Sequence, residues 1–127
     1  MLENMIMEIS NLRSYAHIGD AVWELFVREF TVYKTQNLKT LHKLTTDRVK
    51  SSYQAEMLIF INDFLTENEH DIARRARNCS IPVARKNNQS EYRLSTAFEA
   101  LIGFWYLNDK TRLENILDLI KKEFFYE

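Results

Sequence analysis

Two glycines and one proline serve all 127 residues, and that scarcity constrains the fold more than any other feature of the chain. A sheet of many strands needs tight turns, which draw on Gly and Pro for backbone angles that other residues avoid. The chain lacks them, so an all-helical class is expected. From about Leu12 to Tyr33, apolar residues recur at Tyr15, Ile18, Val22, Phe26, Phe30 and Tyr33, which is helical spacing. A short apolar set follows at Leu38, Leu41 and Leu44. Thr46 is expected to cap a long helix through Val49, Tyr53, Met57, Phe60 and Phe64. Thr66-Glu67-Asn68-Glu69 and Thr111-Arg112-Leu113-Glu114 both match the capping box, in which the Glu three residues on reaches back to the cap. They predict a helix to about Arg77 and a terminal helix through Ile116, Leu117, Ile120 and Phe124. A further helix is expected from about Ser90 to Leu107. Only Asn78 to Gln89, with Pro82 and Asn87-Asn88, has loop character. A loop of roughly a dozen residues in a compact domain is usually functional or mobile.

The length suits a single domain over residues 1–127, and an apolar content of 46% excludes a disordered chain. No apolar run approaches the ~20 residues of a membrane span. The first residues, Met1 to Glu8, are acidic and lack the basic start of a signal peptide. The lone Cys79 excludes an internal disulfide and fits a reducing compartment. A soluble, cytoplasmic protein without membrane partners is expected. The net charge of −1 by itself predicts no nucleic-acid partner, but its distribution says more. Arg74, Arg75, Arg77, Arg85, Lys86 and Arg93 face Glu91 alone, a net +5 that leaves −6 on the remainder. Such asymmetry marks a local anion-binding surface on an acidic body, although a solvated loop has the same composition.

Asp20 and Glu99 stand where a helix should bury only apolar groups. Asp20 lies in Tyr15-Ala16-His17-Ile18-Gly19-Asp20-Ala21-Val22, and Glu99 in Ser95-Thr96-Ala97-Phe98-Glu99-Ala100-Leu101-Ile102-Gly103. A carboxylate among apolar groups is costly unless protonated, hydrogen-bonded, paired or bound to a metal. Taken alone, the two acids fit either a buried salt bridge, with Arg93 a candidate partner, or a metal site. Each segment also holds one of the two glycines, at a cost of about 1 kcal/mol relative to alanine inside a helix. Gly19 and Gly103 are expected to let two helix backbones approach, and so to bring Asp20 towards Glu99.

These two segments resemble the signature helix and the second catalytic segment of the ribonuclease III endonuclease-domain family, in matching order and separation. The resemblance covers roughly Leu12 to Leu119 and is strongest for the short mini-ribonuclease III branch, which has no double-stranded-RNA-binding domain. Arg74-Arg75-Ala76-Arg77-Asn78, Lys86-Asn87 and Tyr92-Arg93-Leu94-Ser95-Thr96 look like that branch as well. The resemblance implies an all-helical fold, a two-fold homodimer, and metal-dependent hydrolysis of double-stranded RNA. Asp20 and Glu99 would hold Mg2+, for which Mn2+ could substitute. A hard cation with oxygen ligands can activate water and stabilise developing charge at phosphorus. Arg74, Arg75, Arg77 and Asn78, with Arg85, Lys86, Asn87 and Arg93, would grip the RNA backbone; Arg74 and Arg77, one turn apart, could bracket a phosphate. The branch further implies maturation of the large-subunit (23S) ribosomal RNA precursor.

Full-length ribonuclease III has acids four residues before Asp20 and three before Glu99, where this chain has Ala16 and Thr96. The mini branch shares the reduction. It supports an alternative, a catalytically silent RNA-binding or ribosome-associated protein on the same fold. A helical interaction module would explain the apolar content but not the two acids. Thr96 could orient a water of the metal shell. Glu24 shares a face with Asp20 and could join the metal shell through water, but pairing with Arg28 one turn on is the expected role. His17, His42, His70 and Cys79 have no ligand or nucleophile spacing and are expected to be structural or incidental. Trp23, Phe26, Phe30 and Trp105 are expected in the core or a dimer interface.

Overall fold

The computed structural model describes residues 12–79 and 89–125, and within them the chain is helical with no strand. The helices are α1 (Leu12–Thr31), α2 (Leu38–Val49), α3 (Ser51–Ile61), α4 (Glu67–Arg77), α5 (Gln89–Asn108) and α6 (Lys110–Phe124), with a 3-10 turn at Asn62–Phe64. The all-helical expectation holds. Arg85, Lys86, Asn87 and Pro82 lie outside the described residues.

α5 is the centre of the domain. Ala97, Phe98, Ala100, Leu101 and Ile102 are fully buried on it, so it is apolar around much of its circumference. A helix with such a surface must be enclosed on several sides. α1 packs along it most extensively, and α3 and α4 cover other faces. α1 turns one stripe inward, through Leu12, Tyr15, Ala16, Gly19, Trp23 and Val27. Trp23 meets Phe98 edge-on at 5.0 Å and donates from Nε1 to the Arg48 carbonyl at 2.8 Å. Phe125, just past α6, closes this aromatic cluster, with its ring 4.8 Å from Phe30 and 5.9 Å from Trp23. Both tryptophans are thus core residues.

The Thr66 capping box forms as expected. The Thr66 hydroxyl accepts from the Glu69 amide, and the Glu69 carboxylate accepts from the Thr66 amide at 2.8 Å. Glu69 then extends beyond the cap. It is only 6% exposed and accepts from Trp105 Nε1 and from both Nε and a terminal nitrogen of Arg112. One side chain therefore joins α4, α5 and α6.

Four helix boundaries differ from expectation. Thr46 is not a cap but lies inside α2, whose start is capped by Asn37 through the Thr40 amide at 2.9 Å. The expected long helix through Val49 is divided at Lys50, which adopts an extended conformation (φ −72°, ψ 160°) open to any residue. Thr111 likewise lies inside α6, because Asp109 caps it by accepting from the Arg112 amide at 3.1 Å. Asp109 alone separates α5 from α6, a joint too short to read from periodicity. α1 ends at Thr31 rather than Tyr33, where the Thr31 hydroxyl meets that of Thr45 at 2.8 Å.

Candidate active site

The crossing of α1 and α5 builds the site. A Cβ on Gly19 would overlap the Glu99 carbonyl oxygen and lie 2.9 Å from the Gly103 amide nitrogen. A Cβ on Gly103 would overlap the Tyr15 carbonyl oxygen and lie 2.7 Å from Ile18 Cγ2. Neither glycine has a positive φ, so the requirement is space and not backbone angle. The two helices touch backbone to backbone, and Asp20 and Glu99, each beside that contact, are brought together.

The acids differ in environment. Glu99 is half-buried, whereas Asp20 is exposed, opening into the cavity rather than into the core as the sequence pattern suggested. Its neighbours explain this: Ala16 and Gly19 face inward, while His17 and Ala21 are exposed, so Asp20 sits at the edge of the buried stripe. Burial, and then the hydrogen bond and negative charge of Asp20, push the Glu99 carboxyl up to about 9, against a smaller opposing pull from a Gln54 hydrogen bond. Two carboxylates this close resist ionising together. A proton or a cation must sit with them.

Gln54 and Ser95 are site residues that the sequence reading missed. Gln54 is 1% exposed; it donates from Nε2 to the Val49 carbonyl at 3.0 Å and accepts from the Ser95 hydroxyl at 2.6 Å. A signal existed: Gln54 precedes Met57, Leu58 and Ile61 on the buried stripe of α3. A polar group on that stripe needs partners for the same reason that Asp20 and Glu99 do.

Asp20, Glu99, Gln54, Ser95 and Thr96 line a cavity of about 650 Å³. Arg13, Lys50, Arg77 and Arg93 stand in its wall, and His17, Ser51, Ser52, Cys79 and Glu91 complete much of it. The cluster expected to bind RNA therefore divides. Arg77 and Arg93 reach the cavity, and the Arg93 guanidinium donates to the Arg77 carbonyl instead of pairing with either acid. Arg74 and Arg75 lie outside it and pair with Asp71, the latter at 3.6 Å. Asn78 is the exposed C-cap of α4. Glu24 pairs with Arg28 at 2.7 Å and is not in the cavity wall. Among the described residues no group of three or more His, Cys, Asp or Glu is arranged to hold a metal. Asp20 and Glu99 are the pair that could hold a cation here.

The chain belongs to the Ribonuclease III domain family, whose match covers residues 13–110 and so includes both acidic segments. That family comprises endoribonucleases. Within it the chain is similar to the mini-ribonuclease 3 of Gloeobacter violaceus, 42% identical over 109 residues that span 86% of this chain and 81% of that one. The mini-ribonuclease 3 of a Thermoanaerobacter species is 44% identical over 107 residues, covering 82% and 75% of the two chains. A crystal structure of a Fusobacterium nucleatum protein superposes with a TM-score of 0.79 at 32% identity, covering 88% of this chain and 93% of that one.

Proposed function

We propose that this protein is a magnesium-dependent endoribonuclease that hydrolyses double-stranded RNA. The observation that carries the reading is the Asp20–Glu99 pair, held by a backbone contact in a cavity walled by Arg13, Lys50, Arg77 and Arg93. The donor set is carboxylate oxygen, which suits a hard cation. Burial and the neighbouring Asp20 raise the Glu99 proton affinity, so a positive charge beside the two acids would be stabilised. Mg2+ keeps much of its water and needs only one or two carboxylates, so the pair is sufficient, and Mn2+ should substitute.

When bound, the cation supplies a lowered water pKa and positive charge against the phosphoryl oxygens. Asp20 and Glu99 would hold it. Glu99 must release its proton to do so, and Gln54, in the same cavity wall, opposes the rise in its proton affinity. Arg77 and Arg93 would attract and orient the polyanionic backbone. Double-stranded RNA is read mainly through phosphates, 2′-hydroxyls and shape, and Trp23 and Trp105 are too buried to stack on bases.

The natural arrangement is a homodimer, since two symmetry-related sites suit two antiparallel strands. Leu25 (59% exposed) on the outward face of α1 and Val32 (54%) just past its end give a second copy an apolar surface. Membership of the family and likeness to mini-ribonuclease 3 favour the 23S ribosomal RNA precursor as substrate, in the cytoplasm. No described helix is long and apolar enough to cross a membrane.

A cleavage assay tests this reading. Duplex RNA, including a 23S precursor stem, should be cut on both strands with Mg2+ and left intact with chelator. Binding without cleavage under every metal condition would favour the catalytically silent alternative that Ala16 and Thr96 raise.

A further inference from the structure

Gln54 is almost wholly buried, yet its amide faces the cavity where the two acids meet. Its orientation is determined. The Val49 carbonyl can only accept, so Nε2 must point towards it, and the Ser95 hydroxyl donates to Oε1 on the other side. An amide nitrogen carries two hydrogens. One is used at Val49, and the other is left for the cavity wall that Gln54 shares with Glu99, one turn beyond Ser95 on the same helix. Flipping the amide would set Oε1 against the Val49 carbonyl, two acceptors without a donor. The network thus ties α3 to α5 and leaves one fixed N–H donor for the cavity wall that also holds the acid.

We propose that Gln54, oriented by Ser95 and Val49, is a positioning residue that holds the Glu99 carboxyl in the rotamer able to bind a divalent cation. Its share in the site is indirect: it touches the acid, not the cation or the RNA. This role rests on the metal reading of Asp20 and Glu99. Partners that hydrogen-bond a metal-ligating carboxylate typically change metal affinity by about 10–100-fold when removed.

The test uses the full-length protein and Mn2+ as probe, with affinity measured by titration calorimetry or spin resonance. Gln54→Met keeps length and removes the donor; Ser95→Ala removes only the hydroxyl that orients the amide. Thr45→Val, which breaks the buried hydroxyl pair with Thr31 away from the cavity, controls for lost stability alone. Gln54→Met should weaken Mn2+ binding by about 10-fold or more and raise the Mg2+ needed for cleavage in step. Ser95→Ala should weaken it less, and Thr45→Val should leave it unchanged. The half-saturating RNA concentration should stay at the wild-type value in all three. If Gln54→Met loses its helical circular dichroism, the folded Ser95→Ala decides. Folded variants that bind Mn2+ as wild type does would overturn the positioning role while leaving the metal reading intact. Wild-type protein that binds no Mn2+ and cuts no duplex RNA would instead overturn the metal reading, and this role with it.

Discussion

Gly19 and Gly103 face one another across the crossing of α1 and α5 with no room for a methyl group between the two backbones. In both directions the obstruction is mainly a carbonyl group, which cannot rotate away as a side chain can. Gly19→Ala should therefore destabilise the fold by about 1–3 kcal/mol or more, as overpacking does. That outweighs the gain of about 1 kcal/mol in helix propensity. Urea titration gives the magnitude, and an unchanged midpoint would refute the backbone contact. A milder loss that still separates the helices should also weaken cation binding, because the acids ride on this crossing.

Asp20→Asn and Glu99→Gln should each slow duplex cleavage by about 100-fold or more, the scale on which one electrostatic contributor to a transition state acts. Neither should unfold the protein. Glu99→Gln is expected to match or exceed wild-type thermal stability in chelator at pH 7.5, since it mimics the protonated acid that burial and Asp20 favour. Retention of near wild-type turnover by either variant would remove that residue from the site.

The raised Glu99 proton affinity also makes a pH prediction with a definite sign. Between the ordinary 4.5 and the folded value of about 9, the folded state binds a proton that the unfolded state does not. Stability of the cation-free protein from this group is thus fully present below about 4.5 and falls as pH rises towards 9. Cation binding must expel the same proton, so Mn2+ affinity should rise over the same window. Melting curves for wild type minus Glu99→Gln, in chelator, isolate the first effect; a flat difference from pH 5 to 9 would contradict it.

Glu69 should behave in the opposite sense. Burial raises its carboxyl, but the Arg112 hydrogen bonds, the Thr66 amide and Trp105 outweigh burial and hold it below the ordinary value. Its stabilisation is present above about pH 4.5 and disappears as pH falls through the folded value. Arg112→Met leaves that carboxylate buried without its cation and should cost about 3–5 kcal/mol at pH 7, measured by urea unfolding. Cation affinity should be unaffected, since Glu69 does not line the cavity.

The arginines of α4 should differ in their contribution to RNA binding. Arg77 stands in the cavity wall, whereas Arg74 and Arg75 lie outside it beside Asp71. Arg77→Gln should raise the half-saturating RNA concentration and reduce the log–log salt slope by about 0.7–0.9, the signature of one lost phosphate contact. Arg74→Gln should change the slope less. Equal effects would place the RNA across the whole outer face of α4.

Much of the architecture follows from local patterns. Apolar residues at helical spacing and a near absence of Gly and Pro require helices whatever their packing, and α1, α4 and α5 run close to where that spacing places them. The Thr66–Glu69 box is a three-residue rule and forms as such. The two acids were conspicuous because an ionised group on an apolar stripe violates a local expectation, and the glycines beside them because each weakens a helix without a local reason. What only the tertiary structure decided are features whose energy comes from distant residues. The joint at Lys50 contains no breaker; it is accompanied by hydrogen bonds from Trp23 to the Arg48 carbonyl and from Gln54 to the Val49 carbonyl. Gln54 itself reads as one polar residue in an apolar run until α5 places Ser95 and Glu99 beside it. The exposure of Asp20 and the division between Arg77 and its neighbours are likewise set by where helices end and which face another, a long-range geometry that no 3.6-residue period contains.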